Sequence, residues 1–410
     1  MNDIKYTLMK FPKGAYIMME GEENRGEFFI IKTGSVEIYN PHFLEDDKHI
    51  FLGPGNFFGV IPCMTKRNNM ETVRAVEDTT TILVKKEQFK DLLSKNPSIG
   101  MKMIRYFSKE LRNYDEMLGK IIARSPLFND ETELDKLFYI GEYYYNRSNF
   151  EYAFVAYRSY LENSEGNFFD EAKIKLEKLS KIAIKKPQQN GKFLTYQDKQ
   201  LIFLEGEKGD ELYVIQDGRV KITKFINGEE VLLDILKKGD IFGEMAIIEN
   251  KPRNASAFAE GTTTLMSIKK ENFEEIIKTY PVLATKIIEL LSERIWVVYR
   301  QLTNMFISTP EIKIYDALYT QLLKYRVTLE KKKYIFPFGA EDLLKFIGLA
   351  NEEGFEVWRQ LKQNDKNFSI TPNGKIQYND ISQLPNKINF ILREKEIREN
   401  KKKFSQLVSG

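Results

Sequence analysis

GDIFGEMAIIENKPRNASAFAE, residues 239–260, decides how this 410-residue chain is read. Arg253 offers a planar fork of donors that engages two anionic oxygens at once, which a lysine cannot do. Gly243 permits close backbone approach, and the apolar run Met245–Ile248 is able to open a helical turn whose free N–H groups face the same anion. Ala246 keeps that approach unobstructed. Glu244, read as preceding the turn, is an acceptor for a hydroxyl proton. Pro252 fixes the backbone before Arg253, and Asn254 and Ser256 add small polar groups beside the anion.

Working outward, the sequence repeats itself. GEFFIIKTGSVEI, ending at Ile38, aligns with DELYVIQDGRVKI, ending at Ile222; GPGNFFG, ending at Gly59, aligns with KKGDIFG, ending at Gly243. The register has no gaps, since Gly34 and Gly218 are 184 positions apart, as are Gly59 and Gly243. Both copies are short runs of Val, Ile, Phe and Tyr between Gly, Asp and Asn, the signature of strands joined by tight turns. Each predicts a small antiparallel barrel. Helical periodicity follows in both, from Lys86 to Leu118 and from Lys270 to Phe306.

The stretch 239–260 resembles the phosphate-binding cassette of cyclic-nucleotide-binding domains, as in kinase regulatory subunits, gated channels and catabolite-activator-type proteins of the Crp/Fnr family. Phe242, Gly243, Glu244, Ala246, Pro252, Arg253 and Ala255 fall on that pattern with its spacing. The resemblance covers 190–308. It implies a site built from Phe242, Gly243, Glu244, Met245, Ala246, Arg253, Asn254, Ala255 and Ser256, with Arg253 on the cyclic phosphate and Glu244 on the ribose hydroxyl. It also places Val298 and Tyr299 where a long helix caps the base. The regulatory ligand is expected to be cAMP, with cGMP as the alternative because Asn254 stands where a hydroxyl residue favours cGMP in some relatives. No cofactor is expected.

In the first copy Val60 replaces Glu244, Pro62 replaces Ala246 and Asn69 replaces Arg253. Val60 accepts no hydroxyl proton. Arg67 and Arg74 lie near enough in sequence to compensate, but a structural or dimerising barrel is favoured over a second site.

Between the copies, Leu137, Ile140, Gly141, Tyr144, Phe150, Ala153 and Tyr157 recur at helix–turn–helix spacing, similar to one tetratricopeptide repeat. A plain spacer and a protein-docking surface stand equally open. After the second copy, the order helix, short strand, two helices broken at Gly348, and a hairpin at Asn373–Gly374 resembles the winged helix of Crp/Fnr regulators. Its would-be recognition helix, about Asn351 to Leu361, carries Glu352, Glu353 and Glu356 against Arg359 alone, which conflicts with groove binding. DNA is therefore a doubtful partner, although Lys331–Lys333 and the tail REKEIRENKKK are basic enough to meet phosphates without reading sequence.

Composition agrees. With 42% hydrophobic and 30% charged residues the chain is a folded, modular protein, and 62 basic against 59 acidic residues give no global basic bias. The single cysteine, Cys63, excludes an internal disulfide and a thiolate zinc cage. His42 and His49, around the acidic loop FLEDD, read as solvated. No apolar run reaches ~20 residues, so no membrane span is expected, and a cytoplasmic location fits. No nucleophile–base pair, metal cluster or kinase-like motif points to an enzyme.

The expected fold is an α+β multidomain chain: 1–118 a degenerate cyclic-nucleotide-binding-like barrel, 119–189 the helical linker, 190–308 the intact jelly-roll-like domain with its long dimerisation helix, 309–384 the winged-helix-like domain and 385–410 a charged tail. The leading functional expectation is a non-enzymatic cyclic-nucleotide sensor, binding one nucleotide per chain and forming a homodimer, with a protein partner at the linker or the C-terminal domain. The alternative is a nucleotide-dependent transcription factor.

Overall fold

The computed structural model describes residues 6–39, 50–122, 135–163, 166–182, 184–226, 228–325, 327–330 and 332–393. His42, His49 and the acidic loop lie outside these residues, as do Lys331 and the tail from 394 onward. The chain divides into two compact units: 1–117, 129–222 and 236–298 form one, and 118–128, 223–235 and 299–410 the other.

The first barrel is two four-stranded antiparallel sheets. One runs in the order Thr7–Phe11, Thr79–Lys85, Glu27–Thr33, Phe57–Phe58, the other Tyr16–Met18, Thr72–Ala75, Val36–Tyr39, Ile50–Leu52. Period-two alternation turns Phe29, Ile31, Val36, Ile38 and Val73 into a common core. In the second barrel the long strands Glu211–Ile226 and Ser256–Lys269 carry a seven-stranded sheet around Phe203, Tyr213, Ile215, Phe242 and Leu265.

The repeat holds down to single residues. Phe29 stacks on Phe58 at 5.1 Å, and Tyr213 on Phe242 at 5.3 Å. Gly34 and Gly218 take φ of 81° and 84°, and in both a Cβ would lie within 2.6 Å of a backbone carbonyl oxygen, of Asp78 or Thr262. Such turns tolerate only glycine.

Each barrel contributes a short helix, α1 (Val60–Thr65) and, later, α7 (Glu244–Glu249), each started by a left-handed glycine, Gly59 or Gly243. The first barrel continues into α2 (Phe89–Lys95) and the long α3 (Pro97–Ile122); α4 (Lys136–Asn146), α5 (Phe150–Asn163) and α6 (Phe169–Lys178) follow; α8 (Lys270–Thr279) and α9 (Pro281–Met305) close the second barrel. Gly141 lets α4 approach α5, because a Cβ there would lie 2.5 Å from the Tyr157 ring. The apolar stripe of α9, expected to meet a second copy, is already buried in one chain at Ala284, Ile287, Ile288, Leu291 and Ile295, with α3 against it at Gly100.

In the second unit, α10 (Pro310–Lys324), α11 (Ala340–Phe346) and α12 (Glu352–Asn364) pack with a three-stranded sheet ordered Tyr334–Ile335, Ile376–Tyr378, Phe368–Ile370. Leu318, Phe336, Leu344, Trp358 and Tyr378 form its core. Hairpin residues 228–235 join it: Leu232 packs on that core and Asp234 pairs with Lys324.

Gly354 looks in the sequence like a weak point of α12, but a Cβ there would lie 1.9 Å from the Leu349 carbonyl oxygen. Glycine is required by that contact. Gly354→Ala is expected to cost ~1–3 kcal/mol or more through overpacking, read as a lower unfolding midpoint in the fluorescence of the neighbouring Trp358; an unchanged midpoint would contradict the packing.

Candidate nucleotide-binding site

The cassette begins where Ile241–Phe242 pairs with Tyr213–Val214 and the chain turns at Gly243, φ 76°. That turn starts α7 at Glu244, so Glu244 is the first residue of the helix and does not precede it. Phe242 is core, stacked on Tyr213. Met245 is half-buried and Ala246 buried.

Arg253 is 5% exposed. Its guanidinium lies 4.1 Å over the Phe203 ring and its Nη1 donates to the Gly243 carbonyl at 2.7 Å. Its Nε has no hydrogen-bond partner. Burial lowers its pKa, with the neighbouring Tyr213, Glu207 and Glu211 acting the other way. A desolvated guanidinium with an unused donor is a strong attractor for an anion. Gly209 leaves room for the guanidinium itself, since a Cβ there would lie 2.5 Å from the Arg253 guanidinium and 2.9 Å from the Ala246 Cβ.

Glu244 is 2% exposed. Oε1 accepts from Arg294 Nη1 of α9 at 2.5 Å, Arg294 also donating to the Ile241 carbonyl, whereas Oε2 is buried without a hydrogen-bond partner. One acceptor oxygen thus remains for a hydroxyl. Ser256 is buried, and its hydroxyl accepts from the Glu205 N–H at 2.9 Å. Ala255 is half-buried beside it.

Asn254 differs from expectation. Its amide donates to Asp115 of α3 at 2.7 Å, so a carboxylate of the first barrel's helix engages the group expected to face the ligand. Val298 is buried one helical turn beyond Arg294, and Tyr299 is buried at the next position. Phe203, Gly209 and Arg294 went unnoticed in the sequence. The repeat offered a signal for all three, because 184 positions earlier stand Met19, Arg25 and Glu110.

The first barrel's equivalent is a different chemical environment. Asn69 donates to the Met19 carbonyl at 3.2 Å and accepts from Asn24 at 3.1 Å, serving as a structural tie. Arg74 pairs with Glu37 at 2.6 Å, and Arg67 lies over the Trp296 ring at 4.6 Å. Neither lines the cleft beside Val60 and Pro62, whose charged residues are Glu71 and Glu110 among Phe57, Phe58, Tyr106 and Tyr114. In the shared register Glu110 stands where the second copy has Arg294, and Glu71 where it has Ala255. The lining of this cleft contains no arginine or lysine to hold a phosphate.

The family model of the cyclic nucleotide-binding domain matches residues 8–96 and 193–280. Each of the two barrels thus carries a match to that domain model. It is similar to the cyclic AMP receptor protein of Thermus thermophilus, 32% identical over 101 residues, covering 24% of this chain and 47% of that protein. It is also similar to the cAMP-dependent protein kinase regulatory subunit of Yarrowia lipolytica, 33% identical over 76 residues, covering 18% and 20%. Among solved structures, the catabolite activator protein of Thermus thermophilus aligns at 23% identity and a TM-score of 0.27, covering 48% of this chain and 89% of that one. The matches span less than half the length of these curated relatives.

Burial, with Glu110 and Glu20 nearby, raises the Glu71 pKa from 4.5 to about 7. The unfolded carboxyl ionises near its ordinary value and the folded one only near 7, so this group's stabilising contribution is complete below pH ~4.5 and is lost as pH rises to ~7. Glu71→Gln is expected to raise the melting temperature relative to wild type at pH 8 and to leave it unchanged near pH 4; equal effects at both would refute the shift.

Proposed function

We propose that the chain is a non-enzymatic sensor that binds one cyclic nucleotide, cAMP or cGMP, in the second barrel. One observation carries this reading. Among the described residues, Arg253 Nε and Glu244 Oε2 are buried, lack hydrogen-bond partners and belong to one cassette. A buried orphan donor on a cation and a buried orphan acceptor each cost ~1–3 kcal/mol. An anion and an adjoining hydroxyl satisfy both at once.

In this reading Arg253 holds the phosphate, aided by the backbone N–H groups of the turn opened by Gly243, Glu244, Met245 and Ala246. Glu244 takes the ribose 2′-hydroxyl proton, and Arg294 holds Glu244 in place. Phe242 sets the turn; Ala255 and Ser256 line its far side. Val298 and Tyr299 cover the base. Asn254 acts by holding the cassette to Asp115 and not on the base, which removes the argument for cGMP and leaves cAMP the better expectation. The first barrel binds no nucleotide in this reading, because the lining of its cleft offers no cation for the phosphate.

The module boundaries proposed are 1–118, 119–189, 190–308, 309–384 and 385–410. The helices between the barrels are the tetratricopeptide-like linker, and 309–384 is winged-helix-like. Its α12 opens on Glu352 and Glu353, and Arg359 pairs with Glu356 at 2.9 Å. This face repels phosphates, so the C-terminal module is assigned to protein contact and not to gene regulation. A homodimer is not needed to cover the α9 stripe.

Calorimetry is expected to give one site per chain for cAMP. Arg253→Ala should weaken binding by about 100-fold or more, from two charge-assisted bonds, and Glu244→Ala by roughly tenfold. Absence of micromolar binding, or indifference to Arg253→Ala, would refute the reading. In a salt titration with and without cAMP, no preference for any duplex over random sequence is expected; a ligand-dependent preference would favour the transcription-factor alternative.

A further inference from the structure

Helix α3 belongs in sequence to the first barrel, but its polar face is spent on the second. Ser108, Arg112 and Asp115 are spaced four and three residues apart and so share a face. Ser108 donates to Glu249 Oε1 at 2.8 Å, and Arg112 Nε donates to Glu249 Oε2 at 2.7 Å. Arg112 Nη2 reaches the Pro252 carbonyl at 3.4 Å, and Asp115 accepts from the Asn254 amide at 2.7 Å. Glu249 ends α7, while Pro252 and Asn254 are the two neighbours of Arg253. The contacts therefore fix the cassette from the end of its turn to both sides of the anion anchor.

The central pair is dry, the Arg112 and Glu249 side chains each being 9% exposed. Removing one partner leaves a buried charge, so the docking is strongly specified. The opposite flank of the cassette is tied as well: the Gly206 N–H donates to the Arg253 carbonyl at 2.9 Å and the Arg253 N–H to the Glu207 carbonyl at 2.8 Å. In that loop Glu205 pairs with Lys136 at 2.6 Å, and Gly206 lies against Leu137, where a Cβ would come 2.8 Å from Cγ. The crossing is mutual. Trp296 of α9 stands 184 positions after Arg112 and meets Arg67, just past α1 of the first barrel.

We propose that Ser108, Arg112 and Asp115 are positioning residues for the nucleotide site, so that the barrel without ligand chemistry sets the affinity of the barrel that has it. The affinity part rests on the nucleotide-binding reading above; the bracing part does not. Because coupling is reciprocal, nucleotide bound at the second barrel also tightens the docking of α3.

The test uses the full chain with Arg112→Met, which keeps the side chain's bulk, and Asp115→Ala, which removes a half-buried acceptor and is the milder change. Hydrogen exchange of amides 244–256, measured without nucleotide, is expected to quicken in both variants, while helicity and the exchange of the first barrel's strands stay as in wild type. Calorimetry with cAMP should show Kd raised roughly 5- to 50-fold by Arg112→Met, within the usual range of coupling between sites. Adding Glu249→Gln to Arg112→Met should cost little more. Unchanged exchange at 244–256 in both variants overturns the proposal, and so does quickened exchange with wild-type affinity. If wild type itself binds neither cAMP nor cGMP, the nucleotide reading fails, and the exchange comparison alone decides whether α3 braces the cassette.

Discussion

A guanidinium held away from water constrains the rest of the second barrel. Arg253 sits on the face of Phe203, gives one donor to Gly243 and keeps another unused. Burying a cation in this way is expensive unless its surroundings are fixed. Many neighbouring features can be understood as that fixing. Gly243 and Gly209 leave the room the side chain occupies, the backbone on both sides of Arg253 is tied to the loop at 206–207, and the stacked Tyr213 and Phe242 close the barrel beneath it.

The two barrels separate what folding needs from what binding needs. Left-handed glycines, the stacked aromatic pair and the short helix with a left-handed residue just past its end, Lys66 or Asn250 at φ 56° and 55°, occur in both. The arginine, the glutamate and the aromatic platform under the arginine occur only in the second. Frame and charge are therefore independent, and the first barrel keeps its shape with Asn69 tying loops where a cation would stand.

Much of this was legible in the sequence because it rests on local rules. Gly243 and Arg253 declare their roles through conformational freedom and donor geometry, and the ungapped register between copies ensures that a residue such as Val60 reveals what is missing. Other features arise only when distant segments meet. Nothing in the composition of α3 says that Arg112 faces Glu249, since both are common surface residues and 137 positions separate them. Asn254 is a similar case: its polarity was visible, but its partner Asp115 lies 139 positions away. Helix propensity alone makes Gly354 a weak point, whereas the carbonyl of Leu349 in the preceding turn excludes any larger residue.

The shared frame also bears on how the two halves are able to diverge. A duplicated barrel whose turns are fixed by glycine and whose core is fixed by a stacked ring pair tolerates reversal of charge in its cleft, as Glu110 in place of an arginine illustrates. Selection on ligand chemistry and selection on shape then fall on different residues. The first barrel shows that separation: its cleft carries Glu110 where the second copy has Arg294, yet its helix α3 still turns Ser108, Arg112 and Asp115 along one face toward the neighbouring barrel.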